Sequence, residues 1–385
     1  MEPNNKQNLK GYFLCGISDS NFDKKGYSGV GKKIVAQINA FSKYSIVILD
    51  NHGCGISSEP SLLMKVYTRL PFTPVSGKWE YKKEYEAADF FYLRRPSFLD
   101  YSIVKLFRKI KKNNLDAKIL LELPTYPYAQ ELLKQRFIKE VCYVCKDYVN
   151  GRLLKGLVDR IVTFSPDSSI WGIPTVRIKN GVDFSRISLP SRKQSSDIHL
   201  IEVSSVNFWH GYDRLLEGLG RYYQNGGTRN IVFHVVGDGM VIPQFREIVS
   251  KYAIESHVVF HGTLGGDALD EVFKMSYIGV DALGRHRSNN PTNSSLKSRE
   301  YVAYGLPFIA AVPIDFAGKD WPYVMYVPQD ESPIDMNEVI KFYDSIYSNN
   351  DCNKVASDIR NYAEFRCDMK ITMQPVIDYI LSEKE

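Results

Sequence analysis

The chain reads as an α/β protein built from two doubly wound, parallel-sheet domains in tandem, and three observations predict this. Short apolar runs alternate with helical patterns, as they do where parallel strands are covered by helices on both faces. That rhythm stops near residues 180–197 and restarts at Ile198. The 385 residues suffice for two cores, and the halves carry opposite charge: 29 Lys and Arg against 18 Asp and Glu up to residue 185, then 20 against 26.

In chain order, strands are expected at Gly11–Ile17, Tyr44–Asp50, Ala88–Leu93, Ala117–Leu123 and Arg160–Phe164. Each is a short run of β-branched, aromatic or aliphatic residues bounded by polar ones. Helices are expected at Gly29–Phe41, Ser102–Lys112 and Ala129–Val149, where apolar residues recur at helical spacing. The turn residues Asn180, Gly181 and Asp183 and the polar stretch Ser191–Asp197 mark a hinge. Beyond it come strands at Ile198–Ser204, Ile231–Val236, Val258–His261, Ile278–Ala282 and Phe308–Ala311. Helices are read at Tyr212–Tyr223, Gln244–Tyr252, Leu269–Met275, Asn337–Tyr347, Cys352–Phe365 and Thr372–Ser382.

Composition narrows the class. With 44% apolar and 24% charged residues the chain has the makeup of a soluble globular protein. No run approaches the roughly 18 apolar residues of a membrane span. Met1–Leu9 lacks the apolar segment of a signal peptide, and six scattered cysteines form no disulfide framework. A cytoplasmic location is expected. The basic first half suggests an anionic partner, and the helix bearing Lys105, Arg108, Lys109, Lys111 and Lys112 would suit an anionic membrane surface.

The most informative stretch is 292–307, where a polar loop opens a helix carrying Glu300 and Gly305-Leu306-Pro307 ends it. A helix start presents unpaired N–H groups and partial positive charge, which suits a diphosphate. A carboxylate further along suits the paired hydroxyls of a ribose. Two other glycine-rich segments accompany it. Gly26–Lys33 has P-loop spacing, but Lys33 stands where a hydroxyl must hold magnesium, and a dinucleotide fingerprint would need a third glycine. Gly237-Asp238-Gly239 follows an apolar strand and lets backbone approach a base. Glu122 sits at a strand end before Tyr126 and Tyr128, where it could take a hydroxyl proton or pair with a neighbouring Arg. Cys142 and Cys145 lack a second ligand pair and read as packing.

These segments together resemble the family-4 retaining glycosyltransferases. Their donor signature, Glu-Gly-x-Gly-x4-Glu-Ala-x-Ala-x-Gly-x-Pro, is matched at Glu300, Ala303, Gly305 and Pro307, with Thr292, Asn293 and Ser295 replacing its first Glu and glycines. Ser204–Leu215 resembles the family's Gly-Arg-Leu-x3-Lys-Gly segment, with Ser205 and His210 in place of its two cations. Ser28-Gly29-Val30-Gly31 resembles its glycine turn, and Ile178–Asp183 its hinge.

The resemblance implies a GT-B fold: two Rossmann-like domains facing a cleft, residues 1–185 binding acceptor and 186–367 binding donor, with a helical crossover over 368–385. It implies transfer of a hexosyl group from a nucleotide-diphosphate sugar to a saccharide or lipid-linked acceptor, with retention, without metal or other cofactor, and without nucleic acid as a partner. Cytoplasmic polysaccharide biosynthesis, at the inner face of the cell membrane, is the expected setting. Donor contacts would come from Gly31, Ser205, Gly237, Asp238, Gly239, Arg285, Ser294, Ser295, Leu296, Lys297 and Glu300. Acceptor contacts would come from Tyr126 and Tyr128, and catalytic roles fall to Lys297, Glu122 and, if protonated, His210. With the family's two cations absent, Arg285, Arg287, Lys297 and Arg299 are the candidates to neutralise the diphosphate. A nucleotide-sugar 2-epimerase of the same fold and a degenerate sugar-nucleotide-binding subunit are the alternatives.

Overall fold

The computed structural model describes residues 9–17, 29–52, 67, 69–70, 72–73, 79–124, 126–127, 138–288, 294–318 and 320–383. The chain divides into two compact units: residues 1–179 with 372–385, and residues 180–371. Among the described residues no helix is long and apolar enough to cross a membrane.

The first unit is a seven-stranded sheet. Its elements are β1 (Leu9–Cys15), α1 (Gly29–Phe41), β2 (Ser45–Asn51), β3 (Phe90–Arg94), α2 (Tyr101–Asn113), β4 (Lys118–Leu123), α3 (Ile138–Leu153), β5 (Arg160–Thr163), β6 (Ser169–Ile170) and β7 (Ile173–Arg177). Strand order is β2-β1-β3-β4-β5-β7-β6, parallel except for the β6–β7 pair. All six residues of β4 are buried, as expected of a strand covered on both faces. At Gly11 a Cβ would lie 2.2 Å from the Phe90 ring, so the missing side chain makes room for the aromatic on the neighbouring strand.

Helix α2 shows how local signals and packing agree. Asp100 caps it by accepting the Ser102 N–H at 2.9 Å. Ile103, Val104, Leu106, Phe107 and Ile110 are buried on one face, each stabilising the fold by about 1.5–3 kcal/mol. The basic residues lie opposite. Lys105 and Arg108 flank the Tyr101 ring, and Lys111 pairs with Asp159 at 2.9 Å.

The second unit is a six-stranded, all-parallel sheet in the order β10-β9-β8-β11-β12-β13. It runs β8 (Ile198–Val203), α4 (Tyr212–Gln224), β9 (Ile231–Val236), α5 (Ile242–Tyr252), β10 (Val258–Gly262), α6 (Asp267–Met275), β11 (Ile278–Val280), α7 (Leu296–Ala303), β12 (Phe308–Ala310), β13 (Val324–Tyr326), α8 (Met336–Tyr347) and α9 (Cys352–Cys367). α10 (Met369–Thr372) crosses the boundary between units, and α11 (Gln374–Leu381) belongs to the first. The buried Lys118 on β4 fixes α11 by donating to the carbonyls of Tyr379 (2.7 Å), Ile380 (3.2 Å) and Ser382. A cation at a helix C-terminus satisfies carbonyls that have no intrahelical partner.

Candidate functional site

In the second unit the strand order reverses between β8 and β11: the chain leaves β8 for β9 and β10 on one side and returns to β11 on the other. Open α/β sheets bind ligands outside the carboxyl ends of the strands at such a point. The loop after β8, the loop after β11 and the start of α7 converge there. The first two are fastened together, since the N–H groups of Leu283 (2.7 Å) and Gly284 (3.2 Å) both donate to the His210 carbonyl. Gly211 has φ of 69°, and a Cβ there would meet the Gly284 nitrogen at 2.5 Å, so only glycine permits this approach.

Ser295 pins α7 to the end of β11. Its Oγ accepts the Lys297 N–H at 3.0 Å and donates to Asp281 Oδ1 at 3.2 Å. Lys297 lies in the first turn with its side chain 12% exposed. Its Nζ is 3.2 Å from the Tyr212 hydroxyl and 3.9 Å from Asp281 Oδ1. Burial lowers its pKa, while the negative charge of Asp281 acts the other way. Glu300, one helical turn on, is half-buried and adds its own negative field at Lys297. The arrangement is a nearly buried ammonium at a helix start, with a carboxylate on the same helix.

The four cations considered for the diphosphate separate clearly. Arg299 is fully buried and committed to Asp315 (2.7 Å), the Ser295 carbonyl (2.9 Å) and the Asn180 carbonyl. Arg287 is held by Asp213 and Glu331, which raise its pKa further. Both therefore stabilise the loop framework. Lys297 remains at the helix start, and Arg285 is near enough to act electrostatically on both Lys297 and His210. Ser294 is drawn into the framework too, since its Oγ donates to Asp315 at 3.0 Å and accepts the Asn180 N–H at 3.3 Å. Leu296 is the first residue of α7, so its amide lies at the helix start.

His210 is buried and its Nδ1 accepts the Asn207 N–H at 3.2 Å, closing a capping box. Burial, then the charges of Lys297 and Arg285, push its pKa down to about 2. Burial first, and then the two nearby positive charges and the N–H donated to Nδ1, keep the ring neutral at physiological pH. The protonated role considered from the sequence is one these surroundings oppose. Ser205, in the loop after β8, is exposed. The turn after β9 is shaped by the same loop: a Cβ on Gly237 would lie 1.8 Å from the Ser204 carbonyl oxygen, and one on Gly239 1.8 Å from that of Val206. The Asp238 carbonyl accepts the Val206 N–H at 2.8 Å, and its carboxylate accepts the Gly239 N–H at 2.7 Å. These glycines let the loops after β8 and β9 lie side by side.

In the first unit Glu122 is wholly buried and saturated. Its Oε1 accepts from Lys33 (3.0 Å) and Arg94 (2.9 Å), and its Oε2 from Gln37 and Tyr92 (both 3.1 Å). Burial alone would raise its pKa. Lys33 and Arg94 outweigh that and hold it down at about 2. Such a carboxylate is a weak base and has no open lone pair directed at solvent, which is the structural pairing the sequence left open beside the catalytic one. Gly31 lies buried in the first turn of α1. Tyr126 lines a cavity of about 640 Å³ with Tyr148, Trp171, Arg152 and Lys155. Tyr128 lies outside the described residues, as do Thr292 and Asn293.

Sequence reasoning missed Glu202, Asp281 and Tyr212, all fully buried around Lys297. A signal existed for the first two, since each is an isolated acid inside or directly after an apolar strand run.

No family model matches the chain, and no curated protein matches it. Solved structures do. The chain is similar to HepE (Alr3699) of Anabaena, determined with UDP and glucose, at 13% identity over 97% of this chain and 100% of that one, with a TM-score of 0.58. It is also similar to the sucrose-phosphate synthase of Thermosynechococcus elongatus, at 12% identity, 96% and 99% coverage and a TM-score of 0.59. A third likeness is to WaaG, a glycosyltransferase of lipopolysaccharide biosynthesis, at 12% identity, 97% and 100% coverage and a TM-score of 0.56. These neighbours are GT-B glycosyltransferases. With its two parallel-sheet α/β units, the chain has the GT-B fold.

Proposed function

We propose that this protein is a glycosyltransferase that moves a sugar from a nucleotide-diphosphate donor to a saccharide or lipid-linked acceptor, with retention and without a metal ion. The observation that carries the reading is the convergence at the β8–β11 switch point: the α7 start, the ammonium of Lys297 and the carboxylate of Glu300 in one place. The crystals of HepE with UDP, and with UDP-glucose, support a nucleotide-sugar ligand for this fold.

In the proposed reaction the amides of Ser294, Ser295 and Leu296 and the Lys297 ammonium hold the diphosphate, with Arg285 adding positive potential. Negative charge develops on the diphosphate as the glycosidic bond breaks, and donors fixed in a poorly solvated site stabilise it without reorganising. In the retaining course the acceptor hydroxyl enters on the face the diphosphate leaves, and the departing phosphate takes its proton. Permanent cations of the protein supply the neutralisation that a divalent ion would otherwise give. Tyr126 is assigned to the acceptor. The exposed Lys105, Arg108 and Lys109 of α2 fit an anionic lipid surface, where a lipid-linked acceptor would reside.

Glu300 is assigned to the ribose hydroxyls. Hydrogen bonds to a charged group contribute about 1.5–3 kcal/mol each. The Glu300→Ala variant is therefore expected to bind UDP or GDP at least tenfold more weakly by calorimetry. Unchanged affinity would remove Glu300 from the donor site.

A further inference from the structure

Within electrostatic reach of Lys297 lies a buried carboxyl group that the proposed reaction does not use. Glu202, on β8, is fully buried. Its Oε2 accepts the Ser204 hydroxyl at 2.7 Å, and its Oε1 is buried with no partner at hydrogen-bond distance among the described residues. A buried carboxylate with one bare oxygen is costly, and the group escapes that cost by keeping its proton.

Ser204 directly follows its own strand, Tyr212 comes from α4, and Lys297 and Tyr301 come from α7. Asp281, after β11, and Glu300 and Arg285 complete the set acting on Lys297, while His210 is neutral. Asp281 already sits 3.9 Å from the Lys297 ammonium as a buried counter-ion. A second buried negative charge would leave this pocket net negative, opposing an incoming anion.

We propose that Glu202 is a positioning residue of the donor site: kept uncharged under Lys297, it leaves the ammonium with Asp281 as its sole fully buried counter-charge among the described residues and so available to a nucleoside diphosphate. This inference rests on the donor-site reading above. Burial pushes the Glu202 carboxyl up to about 8, with Ser204, the Lys297 charge and the Tyr212 hydroxyl only partly opposing it. The carboxyl is therefore mostly protonated at pH 7, about half ionised near pH 8 and mostly ionised by pH 9. A bound diphosphate disfavours that ionisation, so affinity must fall in the same range.

The test is calorimetric titration of UDP and of GDP into the full chain between pH 7 and pH 9, for the wild type and for Glu202→Gln. The wild type is expected to bind up to about tenfold more weakly at pH 9 than at pH 8, and to take up protons on binding near pH 8. Glu202→Gln, nearly isosteric and always neutral, is expected to lose most of this dependence. A variant that keeps the wild-type pH profile, or a wild type that takes up no protons, overturns the proposal. The first result would assign the titration to Lys297 or the nucleotide. A wild type that binds neither nucleotide at any pH would instead sink the donor-site reading itself.

Discussion

Replacing Lys297 with Ala is expected to lower turnover at least tenfold, because the departing diphosphate loses its nearest fixed cation. Tenfold corresponds to about 1.4 kcal/mol of transition-state stabilisation, and the loss of a donor in a preorganised anion site commonly exceeds that. The lysine is nearly buried, faces Tyr212 and Asp281, and opens α7. Removing it also leaves Asp281 without its counter-ion, so some stability should go with the activity. Activity is therefore to be measured well below the variant's own melting temperature. Lys297→Met, which keeps most of the stem, serves as the check on packing. Turnover unchanged in both variants would refute the diphosphate role and move attention to Arg285.

The second large effect concerns the first unit. Glu122→Leu should destabilise it by about 3–5 kcal/mol, since Lys33 and Arg94 are left without their buried partner. For a domain of this size that lowers the melting midpoint by roughly 6–20 °C. Adding Lys33→Met should restore part of the loss. The pH dependence has a definite sign. The folded pKa of about 2 lies below the ordinary 4.5, so the stabilisation is complete above pH 4.5 and is lost as pH falls towards 2. Glu122→Leu should flatten acid unfolding in that window. An unchanged midpoint together with lost turnover would show instead that Glu122 works on the acceptor.

Much of this fold was legible because parallel strands buried on both faces leave predominantly apolar runs, as in Ile119–Leu121 and Ile231–Phe233 within their strands. The strands that escaped notice had no such run. β6 and β13 are two and three residues long, and β7 carries Pro174 and follows the Trp171-Gly172 turn. The position of α7 and its glycine stop could be read from spacing alone. Which cations serve the site could not. Arg299 stands two residues from Lys297, yet its partner Asp315 lies beyond the helix and β12, and only folding shows that they pair. Lys33 likewise reads as part of a phosphate-binding loop until Glu122, 89 residues on, is seen to hold it. Sequence gives the local frame of a site, whereas long-range ion pairs decide which of its charges remain available.

A nucleoside diphosphate bound to the protein reports the donor site directly. Crystals soaked with UDP or GDP are expected to show the two phosphates over the first turn of α7, within hydrogen-bond reach of Lys297 Nζ, and the ribose against Glu300. Nucleotide density at another place, with the crevice at the ends of β8 and β11 empty, would contradict it.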